Sequence, residues 1–169
     1  ARVYGVNIDA KVAHGKEATF QLGFTAQRSR YKSNEVWTEL EDGTPLTTKR
    51  MTRTPDYYGY FTFTSEPFKN FGFSLSGVYT GSMQVPHFAG YIEQDSMETT
   101  PDFIDCNFYT FLLKEHVKLQ LNAGVQNIFD QFQRDLDKGT YRDAGYFYGP
   151  TAPRSIFIGI KIMNWLFIF

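Results

Sequence analysis

The stretch Val117–Asp130 reads VKLQLNAGVQNIFD. Apolar and polar side chains alternate along it, which is the period of a β-strand with one oily face and one wet face. A protein core and a lipid bilayer both satisfy that pattern. What lies around the stretch decides between them.

Six further strands read the same way. They are Arg2–Ala13, Ala18–Tyr31, Asp56–Ser65, Phe71–Met83, Phe103–Leu113 and Ser155–Ile162. Ala18–Tyr31 sets Phe20, Leu22 and Phe24 against Thr19, Gln21, Thr25 and Gln27. Several of these runs exceed the usual ~5–6 residues of a globular strand and approach the ~9–11 of a tilted membrane strand. Their polar faces carry Thr, Ser, Gln, Asn and Gly, with few charges. That composition suits a lumen better than a solvent-facing sheet rich in Lys and Glu.

The connections alternate in length. His14–Glu17, Glu66–Asn70 and Lys114–His116 are short, whereas Ser33–Pro55, Gln84–Asp102 and Gln131–Pro153 each run to about twenty residues and read as structureless. In an up-and-down sheet, alternate connections share an edge, so one edge is trimmed and the other carries large loops. Outer-membrane barrels have this asymmetry. Seven strands are odd in number and too few to close around a polar lumen, so the expected fold is all-β: an antiparallel, up-and-down transmembrane β-barrel segment over residues 1–169, an arc of a larger barrel. The chain opens at Ala1 in mid-strand, which fits a piece of something longer.

Composition agrees. Aromatics make up 18% of the 169 residues, with 17 Phe and 11 Tyr, which favours strands. A formal net charge of −1 gives no broad basic field to recruit nucleic acid or an anionic membrane surface. Mean hydropathy is −0.36, a value that a barrel reaches because half of each strand is polar. Cys106 is the single cysteine, so no internal disulfide or thiolate cluster forms. His14, His87 and His116 are far apart in sequence. No catalytic set, resident metal or cofactor is expected. Asp135-Leu136-Asp137-Lys138-Gly139 hints at a calcium loop but lacks the later ligands and closing Glu, and reads as a solvated loop.

Tyr57 falls on the oily parity, as an aromatic girdle would, and leaves Tyr58 and Tyr60 to the lumen. Trp37, His87, Tyr91, Arg142, Tyr146 and Tyr148 sit in or near the long loops and are the candidate ligand contacts, although for any one of them loop packing is the simpler expectation. Asn127 and Asp130 are expected to cap and turn a strand end.

GVQNIFDQ (Gly124–Gln131) followed by YFYGPTAPRSIFIGIKI (Tyr146–Ile162) resembles the C-terminal end of TonB-dependent outer-membrane receptors. Asn127, Ile128, Phe129 and Asp130 match that family's Asn-Leu-Phe-Asp-like signature. Gly149, Pro153 and Arg154 match its Gly-x-Pro-Arg-like approach to the last strand, and Phe169 matches its terminal aromatic. The segment between resembles receptors of Bacteroidetes-type bacteria. The resemblance implies a barrel of about 22 strands around an N-terminal plug, with plug and TonB box absent from this sequence. It implies residence in the outer membrane of a Gram-negative cell, with outer-membrane lipid, the remaining strands, the plug and TonB as partners. It implies energised uptake of a scarce small-molecule nutrient, such as a ferric siderophore, haem, cobalamin or a glycan. The alternatives are a soluble β-sandwich such as a carbohydrate-binding module, and a small independent outer-membrane barrel.

Overall fold

The computed structural model describes residues 1–15, 17–114 and 119–162. Ten strands follow one another: β1 (Arg2–His14), β2 (Ala18–Glu39), β3 (Pro45–Arg50), β4 (Tyr57–Phe68), β5 (Phe71–Thr80), β6 (Gln84–His87), β7 (Ser96–Thr99), β8 (Phe103–Lys114), β9 (Leu119–Gln126) and β10 (Ser155–Ile162). Seven of them pair in the order β1-β2-β4-β5-β8-β9-β10, with β3 added to the far end of β2, and every pairing is antiparallel. The sheet is open, and β1 and β10 are its edges.

The register carries the sequence alternation across the whole sheet. Ile8 lies opposite Phe24, Leu22 opposite Phe61, Leu75 opposite Phe108, Leu112 opposite Leu121, and Leu121 opposite Ile160. Directly opposed residues point to the same side, so one face is apolar from β1 to β10. Among the described residues no second sheet covers it. Ile8 is 61% exposed, Leu121 42% and Ile158 82%. A β-sandwich would turn these side chains into a shared dry centre, and the structure does not.

The other face is polar and internally bonded. Gln21 Nε2 donates to the Tyr60 hydroxyl (3.0 Å), which donates to Asp9 Oδ1 (3.2 Å). Tyr109 Oη donates to Asn122 Oδ1 (2.7 Å). Two glycines are required by rings lying over them: Tyr60 covers Gly23 on the polar face, and Phe61 covers Gly77 on the apolar face. In each pair the ring residue stands directly across from its glycine, so the missing Cβ is the seat of the ring.

Five expectations are corrected. The second strand continues from Tyr31 to Glu39 and folds back as β3 through a turn at Leu40–Thr44, where Gly43 has φ 80°. Part of Gln84–Asp102 forms the β6–β7 ribbon, so these connections are not structureless. The third strand runs on to Phe68, leaving only two residues before β5. The strand begun at Phe71 stops at Thr80, because Met83 turns away into a cluster with Val85 and Tyr146. The strand expected over Val117–Asp130 ends at Gln126, because Asn127 adopts φ 49° and breaks the ladder. Val117, Lys118, Phe169 and the end of the last strand beyond Ile162 lie outside the described residues.

Candidate ligand-facing loop platform

All three long connections emerge from one edge of the sheet, and polar contacts tie them together. The β2–β3 hairpin meets the β6–β7 ribbon where Thr38 Oγ1 donates to Asp95 Oδ2 (2.6 Å) and Thr48 Oγ1 donates to Gln84 Oε1 (3.0 Å). The Thr38 hydroxyl and the Ala89 N–H hold the Asp95 carboxyl below the usual carboxylate range. Trp37 packs on Phe88 with ring centroids 5.9 Å apart. Arg53, in the β3–β4 link, donates through its guanidinium to the carbonyls of Phe147 and Gly145.

The 127–154 loop is pinned at its root and at its centre. Asn127 is 5% exposed. Its Nδ2 donates to the carbonyls of Gln131 (3.1 Å) and Ala152 (2.9 Å), and its Oδ1 accepts from the Gln131 N–H (3.0 Å). One side chain thereby joins both ends of the loop. Asp130 accepts the Arg154 N–H (2.8 Å), and the Arg154 guanidinium reaches the Ile128 carbonyl (3.3 Å). Phe103 packs over Gly149, where a Cβ would lie 2.7 Å from the ring. Asn127, Asp130, Gly149 and Arg154 are therefore brought together as a structural clasp. Phe129 is exposed, and Pro153 follows Ala152 on the loop's return.

At the centre, His87 and Tyr146 stack with centroids 3.6 Å apart, both 6% exposed. His87 Nε2 lies 3.0 Å from Asp137 Oδ2. Asp137 Oδ2 also accepts the Asp143 N–H (2.9 Å), and Asp143 Oδ2 accepts the Phe88 N–H (3.0 Å). The hydroxyls of Tyr146 (2.9 Å) and Tyr148 (2.7 Å) both donate to Asp135 Oδ2. Burial opposes the charge on Asp135, but the Tyr148 and Tyr146 hydroxyls outweigh it and hold the carboxyl below its usual range. Burial, followed by the hydrogen bond to Asp135 and then its charge, pushes both phenols well above theirs. The two acidic side chains of the Asp135–Gly139 stretch are thus engaged by His87 and two tyrosines. Among the described residues no group of three or more His, Cys, Asp or Glu side chains is arranged to hold a metal ion.

The six candidate contacts therefore divide. His87, Tyr146 and Tyr148 come together as the interior of the platform, and Trp37 flanks them on Phe88. Tyr91 and Arg142 face solvent. Gly90, at φ 140°, lets the chain approach the Tyr141 carbonyl, where a Cβ would sit 2.5 Å from the oxygen. Tyr91 follows Gly90 and Arg142 follows Tyr141 in the chain, so this backbone approach places the two segments side by side. Tyr141 is 77% exposed, and Phe147 and Phe88 are also open to solvent. Sequence reasoning missed these three aromatics. It also missed Gln133, which is 2% exposed and bonds the backbone of Tyr146 and Tyr148. Its signal was the shared spacing of Gln133-x-Asp135 and Tyr146-x-Tyr148. On the polar face, beside Arg53, a concavity of about 1000 Å³ is lined by Asn7, Asp9, Thr25, Gln27 and Tyr58.

No protein-family profile and no curated protein matches the chain. Solved structures do. The ferric-catecholate import receptor Fiu from E. coli K12, in a closed form, superposes with a TM-score of 0.64 at 19% identity, over 94% of this chain and 20% of that one. P. aeruginosa FpvA bound to heterologous pyoverdines with iron gives 0.62 at 14% identity, over 94% of this chain and 19% of that one. The FpvAI–pyocin S2 complex gives 0.61 at 12% identity, over 94% and 18%. The chain thus spans about a fifth of each of these structures. What the likenesses establish is the fold: an antiparallel, up-and-down arc of a β-barrel.

Proposed function

We propose that the chain is the C-terminal arc of a TonB-dependent outer-membrane receptor. The observation that carries this reading is the uncovered apolar face, continuous from Val6 on β1 to Ile158 on β10, with a polar, bonded face behind it. The apolar face meets acyl chains and the polar face lines the lumen. Every backbone group must pair inside a bilayer, so β1 and β10 join the remaining strands and close the barrel around a plug. The structural neighbours are TonB-dependent receptors, which supports the reading, as does the resemblance around Asn127–Asp130.

The transported nutrient is a small iron chelate. Two neighbours are named for ferric or iron-loaded ligands, and the exposed Tyr91, Tyr141 and Arg142 supply aromatic and cationic contacts for an anionic chelate. The packed His87–Tyr146–Asp135 interior holds those contacts in place. The clasp residues are structural. Bacteroidetes-type origin and the TonB box belong to the same proposal.

The test is growth. A Gram-negative host that lacks its own siderophore receptors and expresses the full-length receptor is starved of iron and offered ferric siderophores or haem, and a cobalamin-requiring strain of it is offered cobalamin. Growth on a ferric siderophore that needs both the receptor and TonB is the expected result. Rescue by none of them, or rescue without TonB, contradicts it.

A further inference from the structure

The net charge of −1 hides a local arrangement with the opposite sign. On β2 the apolar parity runs Phe20, Leu22, Phe24, Ala26, and its next two members are Arg28 and Arg30. Across the strands, Tyr4 stands opposite Arg28, Arg2 opposite Arg30, and Arg30 opposite Arg50. Three strands therefore place three arginines in one row. Like charges directly opposed across a sheet are unfavourable, so the row calls for anions. The protein supplies one. Asp56 Oδ2 meets Arg30 Nη2 at 3.2 Å and Arg50 Nη2 at 3.1 Å. Among the described residues no carboxylate is paired with Arg2 or Arg28, and both are exposed.

The height of the row is informative. Arg28 and Arg30 follow Ala26 by about 7 and 14 Å along the strand, at ~3.4 Å per residue. On the same face Tyr57, opposite Ala26, marks the boundary just below, and Tyr4 stands level with Arg28. Nine residues from Ala18 to Ala26 already make a span of the ~9–11 that a tilted strand needs. The arginines therefore sit where headgroups begin, on the side that carries the oily band, and on the loop-bearing edge.

We propose that Arg2, Arg28, Arg30 and Arg50 form a docking site for the phosphate groups of a phosphorylated outer-leaflet lipid. Guanidinium groups bind phosphate through paired, charge-assisted hydrogen bonds. Continuity with the apolar band favours a lipid over a soluble anion, because the acyl chains of the same molecule cover Val6, Ile8 and Phe24 while its phosphates meet the row. Asp56 holds Arg30 and Arg50 in place, and Arg2 and Arg28 supply the unpaired charge. The proposal rests on the lipid-facing reading of the apolar face, and the experiment separates the two.

The full-length receptor is reconstituted in phosphatidylcholine nanodiscs containing either diphosphorylated or dephosphorylated lipid A, and the lipid A that stays bound after purification is measured by mass spectrometry. The Arg2→Gln/Arg28→Gln pair leaves the Asp56 contacts intact, and Lys11→Gln on the polar face is the control. The diphosphorylated form is retained in preference to the dephosphorylated one. The double variant weakens that retention by about thirtyfold, from roughly 1 kcal/mol per arginine near an anionic surface, and the control does not. Equal retention of both lipids, an unaffected double variant, or displacement by inorganic phosphate overturns the proposal. Quenching of an Ile8→Trp variant by brominated acyl chains tests the underlying reading independently. If the tryptophan is quenched and the arginines are silent, only the headgroup site fails. If it is not quenched, both fail.

Discussion

The rings of His87 and Tyr146 lie flat on one another, 3.6 Å apart and 6° from parallel, while the Tyr146 hydroxyl donates to Asp135. The stack joins the β6–β7 ribbon to the 127–154 loop, and the Asp135 carboxylate ties the two arms of that loop to each other. Replacing Asp135 by Ala strips the shared acceptor from two phenols. Hydrogen bonds to a charged group are worth about 1.5–3 kcal/mol, so the loop should open more easily by roughly that amount. Hydrogen exchange of the 131–148 amides in the full-length receptor, tenfold or more faster than wild type, is the expected readout.

The same cluster sets a pH window. Asp135 is held below its ordinary value of 3.8, so its contribution is complete above that value and is lost as pH falls through it. Tyr146 and Tyr148 are raised above their ordinary value of 10.0, so theirs is complete below 10.0 and is lost as pH rises past it. Proteolysis of the loop should be slow at neutral pH and accelerate at both ends. In the Tyr146→Phe/Tyr148→Phe variant the alkaline limb should disappear.

Asn127 carries three side-chain bonds and a left-handed backbone. Asn127→Ala loses the bonds and adds strain at positive φ, for a destabilisation of about 2–3 kcal/mol at the loop root. Asn127→Gly restores the backbone freedom and recovers only the part due to φ. Comparing protease susceptibility of the two variants separates the contributions.

Gly77 is the seat of the Phe61 ring. Gly77→Val displaces that ring from its opposite strand, and overpacking of this kind costs about 1–3 kcal/mol. The full-length barrel should lose heat resistance in its folded electrophoretic form. Phe61→Ala combined with Gly77→Val should lose less than the sum of the single changes, because the clash goes with the ring.

Much of this fold is written in the period of the strands. Ile156, Ile158 and Ile160 on one parity, with Phe157, Gly159 and Lys161 on the other, fix β10 without any knowledge of its neighbour. The long connections are less legible. Leu40–Thr44 contains an Asp-Gly pair between alternating runs, which is a hairpin signal, but it lies in a charged stretch that reads as solvated loop. Pro86 within Gln84–His87 argues against a strand, yet β6 is tolerated because it belongs to a two-stranded ribbon. The candidate site was legible as residue types but not as an arrangement. Nothing local tells His87 that Tyr146 will cover it, since the stack joins positions far apart in sequence. The arginine row escaped for the same reason. Arg2, Arg30 and Arg50 become neighbours only once two registers are known.

The central claim is that the apolar face meets lipid and the polar face a lumen. Site-directed spin labels placed singly at Val6, Asn7, Ile8, Asp9 and Ala10 of the full-length receptor in bilayers test it most directly. Oxygen accessibility should be high at Val6, Ile8 and Ala10 and low at Asn7 and Asp9, a two-residue oscillation in phase with the strand. Labels at Val6, Ile8 and Ala10 that are shielded from oxygen and from water-soluble reagents alike would place that face in a protein interior and contradict the account.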